Sequence, residues 1–387
     1  MSNSTRFATE AKALLEQIDL DAARSIYGKS MLLTSSWSTP QLEAVCQIAK
    51  VFELMDRAGV PADLFPNELN YAIFFDNSTR TKSSWAGAAA RLGASAVIVD
   101  GSSTQVAHGE TAEETGAMLG MNSHALGIRH DLILGEGNAF MESAEKGISD
   151  YLAATDDPRK VPIVNLQCDI DHPTQSLADL CFLREKFPDG LEGKTITVSW
   201  AYSPSYAKPL SVPQGLITLL PRFGANVRLA HPAGYTLLDQ CTSQAADFAK
   251  ASGGSFEVFD DMDAAFEGAD VVYPKSWGPY ELMLQRVAAN RAGDKAGLAD
   301  LEKQMLANNK NYTSWICDER RMGLTNGGDA IYMHCLPADI GDEVSAGVMD
   351  KARVDLAMEA NKKVYAIMAL LAGAKSGNVV QALADRL

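Results

Sequence analysis

The feature that most limits how this chain can fold is an alternation that begins at Leu69. Short apolar runs at 69–75, 94–100, 125–130 and 162–167 are separated by stretches with helical spacing, among them 110–121. After a helical stretch at 175–187 and the turn-like Pro188-Asp189-Gly190, the alternation resumes with runs at 195–201, 226–231, 256–259, 271–273 and 330–334. Strands that alternate with helices pair in parallel, because each helix carries the chain back to the edge it left. The expected fold is therefore α/β, with two doubly wound parallel-sheet domains joined by helices. At 387 residues the chain is also long for a single core. The division falls near 186–193, giving a first domain over 1–185 and a second over 190–355. Residues 8–57 and 361–387 read as helical, the latter packing back on the first domain. Open parallel sheets bind ligands beyond the carboxyl ends of their strands, so the crevice between the two sheets is the expected site.

Charge narrows the ligand class. A net charge of -15 argues against non-specific binding to nucleic acid or to an anionic membrane surface. An anionic ligand would need a compact positive pocket set against that field. The longest apolar run, 364–374, is shorter than the roughly 18–20 residues a membrane span requires. The N-terminus lacks the apolar core of a signal peptide. Six cysteines are scattered without a C-x-x-C pair, so reduced thiols are expected, and neither a metal site nor a disulfide framework. A cytoplasmic protein is the expectation.

Polar clusters follow several of the predicted strands. Ser78-Thr79-Arg80-Thr81 lies between the run at 69–75 and a helical stretch from Ser84. A helix start offers unpaired N–H groups and partial positive charge to a phosphate, and an arginine adds a fork of donors. The same stretch is equally an ordinary capped helix start with a surface arginine, and taken alone it does not separate the two. Arg129 ends the third run and could instead serve a structural ion pair. His172-Pro173-Thr174-Gln175 follows the fourth, where His172 could be a turn residue. His334-Cys335-Leu336-Pro337 follows the last, and nothing around Cys335 supplies the signature of a thiol nucleophile. Arginine, histidine and hydroxyl groups delivered from separate strand ends suit polarising an acyl oxygen while holding a phosphate. No G-x-G-x-x-G follows a strand, which weighs against a dinucleotide site.

These four motifs, in this order, resemble the aspartate/ornithine carbamoyltransferase family over nearly the whole chain. The resemblance implies carbamoyl transfer from carbamoyl phosphate to an amine, without metal or organic cofactor. It implies that Ser78, Thr79, Arg80 and Thr81 hold the phosphate, and that Thr81, Arg129 and His172 face the carbonyl oxygen. Gln175 and the Cys335–Leu336 turn, through the Leu336 carbonyl, would meet the carbamoyl NH2. In the family a neighbouring subunit completes the site, so Gln105 would act across the interface of a homotrimer. The late arginine of the family falls at Lys363 here, a point charge in place of a fork.

The acceptor side departs from the better known members. In place of the Asp-x-x-x-Ser-Met-Gly pattern of ornithine enzymes stands Tyr273-Pro274-Lys275-Ser276-Trp277-Gly278, and the His-Pro-Leu-Pro-Arg pattern of aspartate enzymes is absent. Lys275, Ser276 and Trp277 are the second-substrate candidates, and Lys275 points to a small amine that bears a carboxylate. Lys275 could equally be a surface lysine, and Trp277 could equally fill core. The run from Trp200 to Gln214, with Pro204, Pro209 and Pro213, resembles the proline-rich loop of the knotted transcarbamylases, and within that branch the ungated transcarbamylases of unassigned substrate. That likeness implies a trefoil knot in the second domain. Phosphorolysis of a ureido compound in the reverse direction, and a non-catalytic carbamoyl-phosphate sensor or assembly protein of the same fold, stay open at this point.

Overall fold

The structure, a computed structural model, describes residues 3–387. Two parallel sheets form its two centres. The first has the order β2-β1-β3-β4, with β1 at Leu69–Phe74, β2 at Ser95–Asp100, β3 at Ala125–His130 and β4 at Ile163–Cys168. The second has the order β7-β6-β5-β8-β9, with β5 at Thr195–Ser199, β6 at Asn226–Ala230, β7 at Ser255–Phe259, β8 at Val271–Pro274 and β9 at Ile331–Tyr332. All pairings are parallel, as the alternation predicts. Both are edge strands of the first sheet: β4 is buried at every position, with Met31 bridging to Val164 on its outer side, whereas β2 is largely open.

Two elements differ from the sequence expectation. The run at 330–334 yields only a two-residue strand. The His334 N–H leaves the ladder and donates to Glu359 Oε2 at 3.3 Å, and the chain then turns through Leu336 at a φ of 51°. The C-terminal helix starts at Ala346 rather than at 361 and runs unbroken to Lys375, with the Ser345 hydroxyl accepting from the Val348 N–H at its start. It packs on the helices Thr39–Ala58, Arg80–Arg91 and Pro173–Lys186 around the first sheet and also touches β9 of the second. Its later half is buried on all faces, and the apolar run at 364–374 reflects that burial. Among the described residues no helix is long and apolar enough to cross a membrane.

Register decides what meets at the sheet edge. Phe74 pairs with Arg129, and Arg129 pairs with Gln167, so the carboxyl ends of β1, β3 and β4 form one row. In the second sheet Ser199 pairs with Pro274, which places Lys275 just past the end of β8. The two edges face one another. The Gln167 amide donates to Ser211 Oγ at 2.9 Å, and the Gln214 amide donates to the Asp169 carbonyl at 3.0 Å.

Candidate active site

Between the two edges lies a cleft of about 640 Å³. Ser78, Thr79, Arg80, Thr81, Arg129, His172, Gln175, Cys335, Leu336, Lys363 and Lys275 all line it. Gln105 does not: it sits exposed in the short turn Gln105–His108 after β2. Ser276 and Trp277 lie behind the cleft wall. Ser276 N donates to Glu343 Oε1 at 2.7 Å, and the fully buried Trp277 indole donates to the Tyr235 carbonyl at 2.8 Å. Trp277 is thus a core residue, and its backbone carbonyl accepts from the Trp200 indole N–H at 2.9 Å.

The helix Arg80–Arg91 begins at the cleft, and Ser78 Oγ accepts from Thr81 N at 3.2 Å in the manner of a cap. The Arg80 side chain bridges to the other half of the site: Nε donates to the Cys335 carbonyl at 3.1 Å and Nη2 donates to the Leu336 carbonyl. The turn at Leu336 therefore aims two carbonyls at one guanidinium. Arg129 Nη2 donates to Asp131 Oδ2 at 2.9 Å, and Asp131 N donates to Asp76 Oδ2 at 3.0 Å. Burial pushes the Asp131 carboxyl well up, against the pull of Arg129.

Four cationic side chains, Arg80, Arg129, Lys275 and Lys363, converge here against two carboxylates, Asp76 and Asp131, in a chain whose net charge is -15. Burial, with Lys363, Arg129 and Arg80 close by, pulls His172 well below the usual histidine range, so the ring is neutral near pH 7. Lys363 Nζ lies 3.5 Å from His172 Nε2, and burial lowers Lys363 to about 8. Lys275 is also lowered by burial. Its Nζ donates to the carbonyls of Ser276 at 2.7 Å and Pro209 at 3.3 Å, which leaves one of its three N–H groups for another partner. The site thus offers cationic and neutral donors around a space of substrate size. That arrangement fits an anion at one end and a developing oxyanion beside it.

His334 is not poised to activate Cys335. Its Nδ1 accepts from Leu336 N at 2.8 Å, so its proton sits on Nε2, 3.6 Å from Glu343 Oε1. Asp76, Asp131, Gln167 and Tyr206 also line the cleft, although none of them was among the site candidates drawn from the sequence. Glu343 was not among them either. It is fully buried and accepts from Lys208 Nζ at 2.6 Å and from Asp339 N at 2.8 Å.

Fold and cleft together define a transcarbamylase-type enzyme. Residues 29–185 match the aspartate/ornithine carbamoyltransferase carbamoyl-P binding domain, and residues 210–373 match the Asp/Orn binding domain of the same family. The chain is 46% identical over 358 residues to YgeW of Escherichia coli O157:H7, whose name is that of a carbamoyltransferase, covering 90% of each. It is 31% identical over 365 residues to the N-acetylornithine carbamoyltransferase of Xanthomonas campestris pv. campestris, covering 89% of this chain and 98% of that one. Among solved structures, acetylornithine transcarbamylase complexed with acetylcitrulline superposes with a TM-score of 0.74 at 27% identity, over 90% of this chain and 99% of that chain. The chain belongs to the aspartate/ornithine carbamoyltransferase family. It is a carbamoyltransferase with a carbamoyl-phosphate-binding domain and an acceptor-binding domain.

Proposed function

We propose that this enzyme moves the carbamoyl group of carbamoyl phosphate to the amine of a small, carboxylate-bearing acceptor, with the roles divided as follows. The phosphate sits at the start of the helix Arg80–Arg91 against Ser78, Thr79, Arg80 and Thr81, with Lys363 as a further cation. Arg129, Thr81 and neutral His172 polarise the carbonyl and stabilise the oxyanion of a tetrahedral intermediate. Gln175 and the Leu336 carbonyl meet the carbamoyl NH2. An uncharged amine attacks from the second-domain side, the C–O bond to phosphate breaks, and the leaving phosphate takes the amine proton. No side chain acts as nucleophile, and the chemistry calls for no cofactor. Lys275, with an N–H to spare at the far wall, takes the acceptor carboxylate.

The observation that carries this reading is the convergence of Arg80, Arg129, His172 and Lys363 on one cleft at the carboxyl edge of the first sheet. The exposed position of Gln105 supports a homotrimer in which that side chain reaches a neighbour's site. The loop that follows β5 is held by segments that come later in the chain. Tyr202 N donates to the Trp315 carbonyl at 2.8 Å, and Ala207 N donates to Glu302 Oε1 at 2.7 Å. We read a trefoil knot there, with the division of the chain near 186–193, between the last strand of the first sheet and the first strand of the second. A cytoplasmic location accords with the composition.

Calorimetric titration with carbamoyl phosphate, followed by an amine panel scored for ureido product in both directions, tests the reading. Binding followed by product from a carboxylate-bearing amine is expected. Binding with no product in either direction would make the chain a sensor instead.

A further inference from the structure

Two buried carboxyl groups behind the cleft have no role in the chemistry described so far. Asp179 and Glu359 are 0% and 1% exposed. Asp179 stands one helical turn after Gln175, and Glu359 one turn before Lys363, so each shares a helix face with a cleft residue. The Gln175 amide nitrogen donates to Asp179 Oδ1 at 2.6 Å. Glu359 Oε2 accepts from His334 N at 3.3 Å. That leaves Asp179 Oδ2 and Glu359 Oε1, both buried and neither with a partner. Their helices, Pro173–Lys186 and Ala346–Lys375, pack directly on one another, and each carboxyl is among the groups that shift the other's charge. Two neighbouring carboxyls buried away from solvent are strongly disfavoured as a pair of anions, and one shared proton satisfies both orphan oxygens. Burial accordingly pushes Glu359 well up and Asp179 up to about 6, with the Tyr273 hydroxyl, Lys363 and Cys335 as the other groups facing the pair.

We infer that Asp179 and Glu359 form a carboxyl pair that shares one proton and aims Gln175, making the donor site selective for an NH2 group on the carbonyl. The inference rests on the carbamoyl-phosphate reading above. Glu359 holds the proton and donates it to Asp179, and Asp179 stays an anion. An anion at this point can only accept, so it fixes which end of the Gln175 amide turns inward. Nε2 is spent on Asp179 and Oε1 faces the cleft. An amide oxygen there accepts from a ligand N–H, whereas a methyl group in the same place leaves it buried and unpaired. Asp179 and Glu359 touch no substrate and are positioning residues.

Two stable probes of equal length and charge separate these cases. Phosphonoacetamide carries NH2 on its carbonyl, and acetonylphosphonate carries CH3. In competition binding, the wild type should take the amide at least ~10-fold more tightly than the ketone. In Asp179→Leu the ratio should fall to within about 2-fold, mainly through weaker amide binding, because Gln175 is then free to turn over. Glu359→Gln keeps a donor toward Asp179 and should keep the ratio. If Asp179→Leu does not fold by circular dichroism, Asp179→Asn is read in its place, since an amide can present either end to Gln175 and should also lower the ratio. Equal binding of the two probes to the wild type, or an unchanged ratio in the Asp179 variant, overturns the inference and leaves the carbamoyl-phosphate reading standing. If neither probe binds the wild type, that reading falls too.

Discussion

Lys362 and Lys363 are neighbours on one helix and serve different surroundings. Lys362 Nζ lies 2.7 Å from Glu53 Oε2 and 2.6 Å from Glu185 Oε1, whereas Lys363 Nζ lies 3.5 Å from His172 Nε2 and meets no carboxylate. The first cation is neutralised within the fold. The second is held without a carboxylate in contact, in a cleft with Arg80 and Arg129 whose cations outnumber its carboxylates, so an anionic ligand is drawn there.

That difference gives a pH dependence. Burial lowers Lys363 to about 8, so the ammonium is present below that pH and is lost above it. The affinity for a phosphonate probe should therefore weaken as pH rises through about 8, approaching about tenfold per pH unit in the limit. The same titration on Lys363→Arg should stay flat to higher pH, because guanidinium keeps its proton. An affinity that holds steady for the wild type from about pH 7.5 to about pH 9.5 would remove Lys363 from the phosphate site.

Arg129 tests the oxyanion role. Its guanidinium is tied to Asp131 on one side, and its Nε is buried with no protein partner, a donor left free in the cleft wall. Arg129→Ala should lower kcat by about 10²–10³, corresponding to about 2.7–4 kcal/mol of lost transition-state stabilisation. The variant also leaves the buried Asp131 carboxyl without its cation, so circular dichroism should confirm that it folds before turnover is read. Turnover at the wild-type rate would exclude Arg129 from the mechanism.

Glu343 tests structure rather than chemistry. Burial opposes its charge, but the His334 ring and the Lys208 ammonium outweigh burial and hold the carboxyl well below the usual glutamate range. Glu343→Leu strips Lys208, Ser276 N and Asp339 N of an acceptor at once. Breaking such a buried pair costs about 3–5 kcal/mol, and Asp339 at 2.9 Å from Lys208 Nζ keeps the cost near the lower end. A fall of roughly 4–6 °C in thermal midpoint is expected by scanning calorimetry for a chain of this length. A midpoint unchanged from wild type would show that the network adds nothing to stability.

The sheets were legible because strand burial leaves a local trace: β4 is apolar or buried throughout and reads as such from its own residues. The Ser78–Thr81 turn was legible for the same reason, since a helix start is a local event. What escaped was non-local. Asp131, Asp179 and Glu343 look like surface carboxylates in sequence, and the partner that buries Glu343 is Lys208, 135 positions away. The first half of the helix Ala346–Lys375 mixes charged residues such as Asp350, Lys351 and Arg353 with apolar ones, so its start was hidden until the buried stretch began. Trp277 was ambiguous for the same reason: beside a candidate ligand lysine it could meet the acceptor or fill core, and only its distant partner, the Tyr235 carbonyl that accepts from its indole N–H, places it in the core.

Gln105 offers a test of assembly that needs no structure of the oligomer. Within one chain it is exposed after β2 and does not line the cleft that holds Arg129. If a neighbouring subunit supplies it, Gln105→Ala and Arg129→Ala damage the same site from opposite sides of an interface. Each variant alone should be nearly inactive. When the two are dissociated together and reassembled, a subunit with intact Arg129 will sometimes meet a neighbour with intact Gln105. For random mixing of equal amounts in a closed ring, about one quarter of the sites are whole, so activity should return to about that fraction of wild type. A mixture no more active than its components would place Gln105 outside the catalytic site and leave the cleft complete within a single chain.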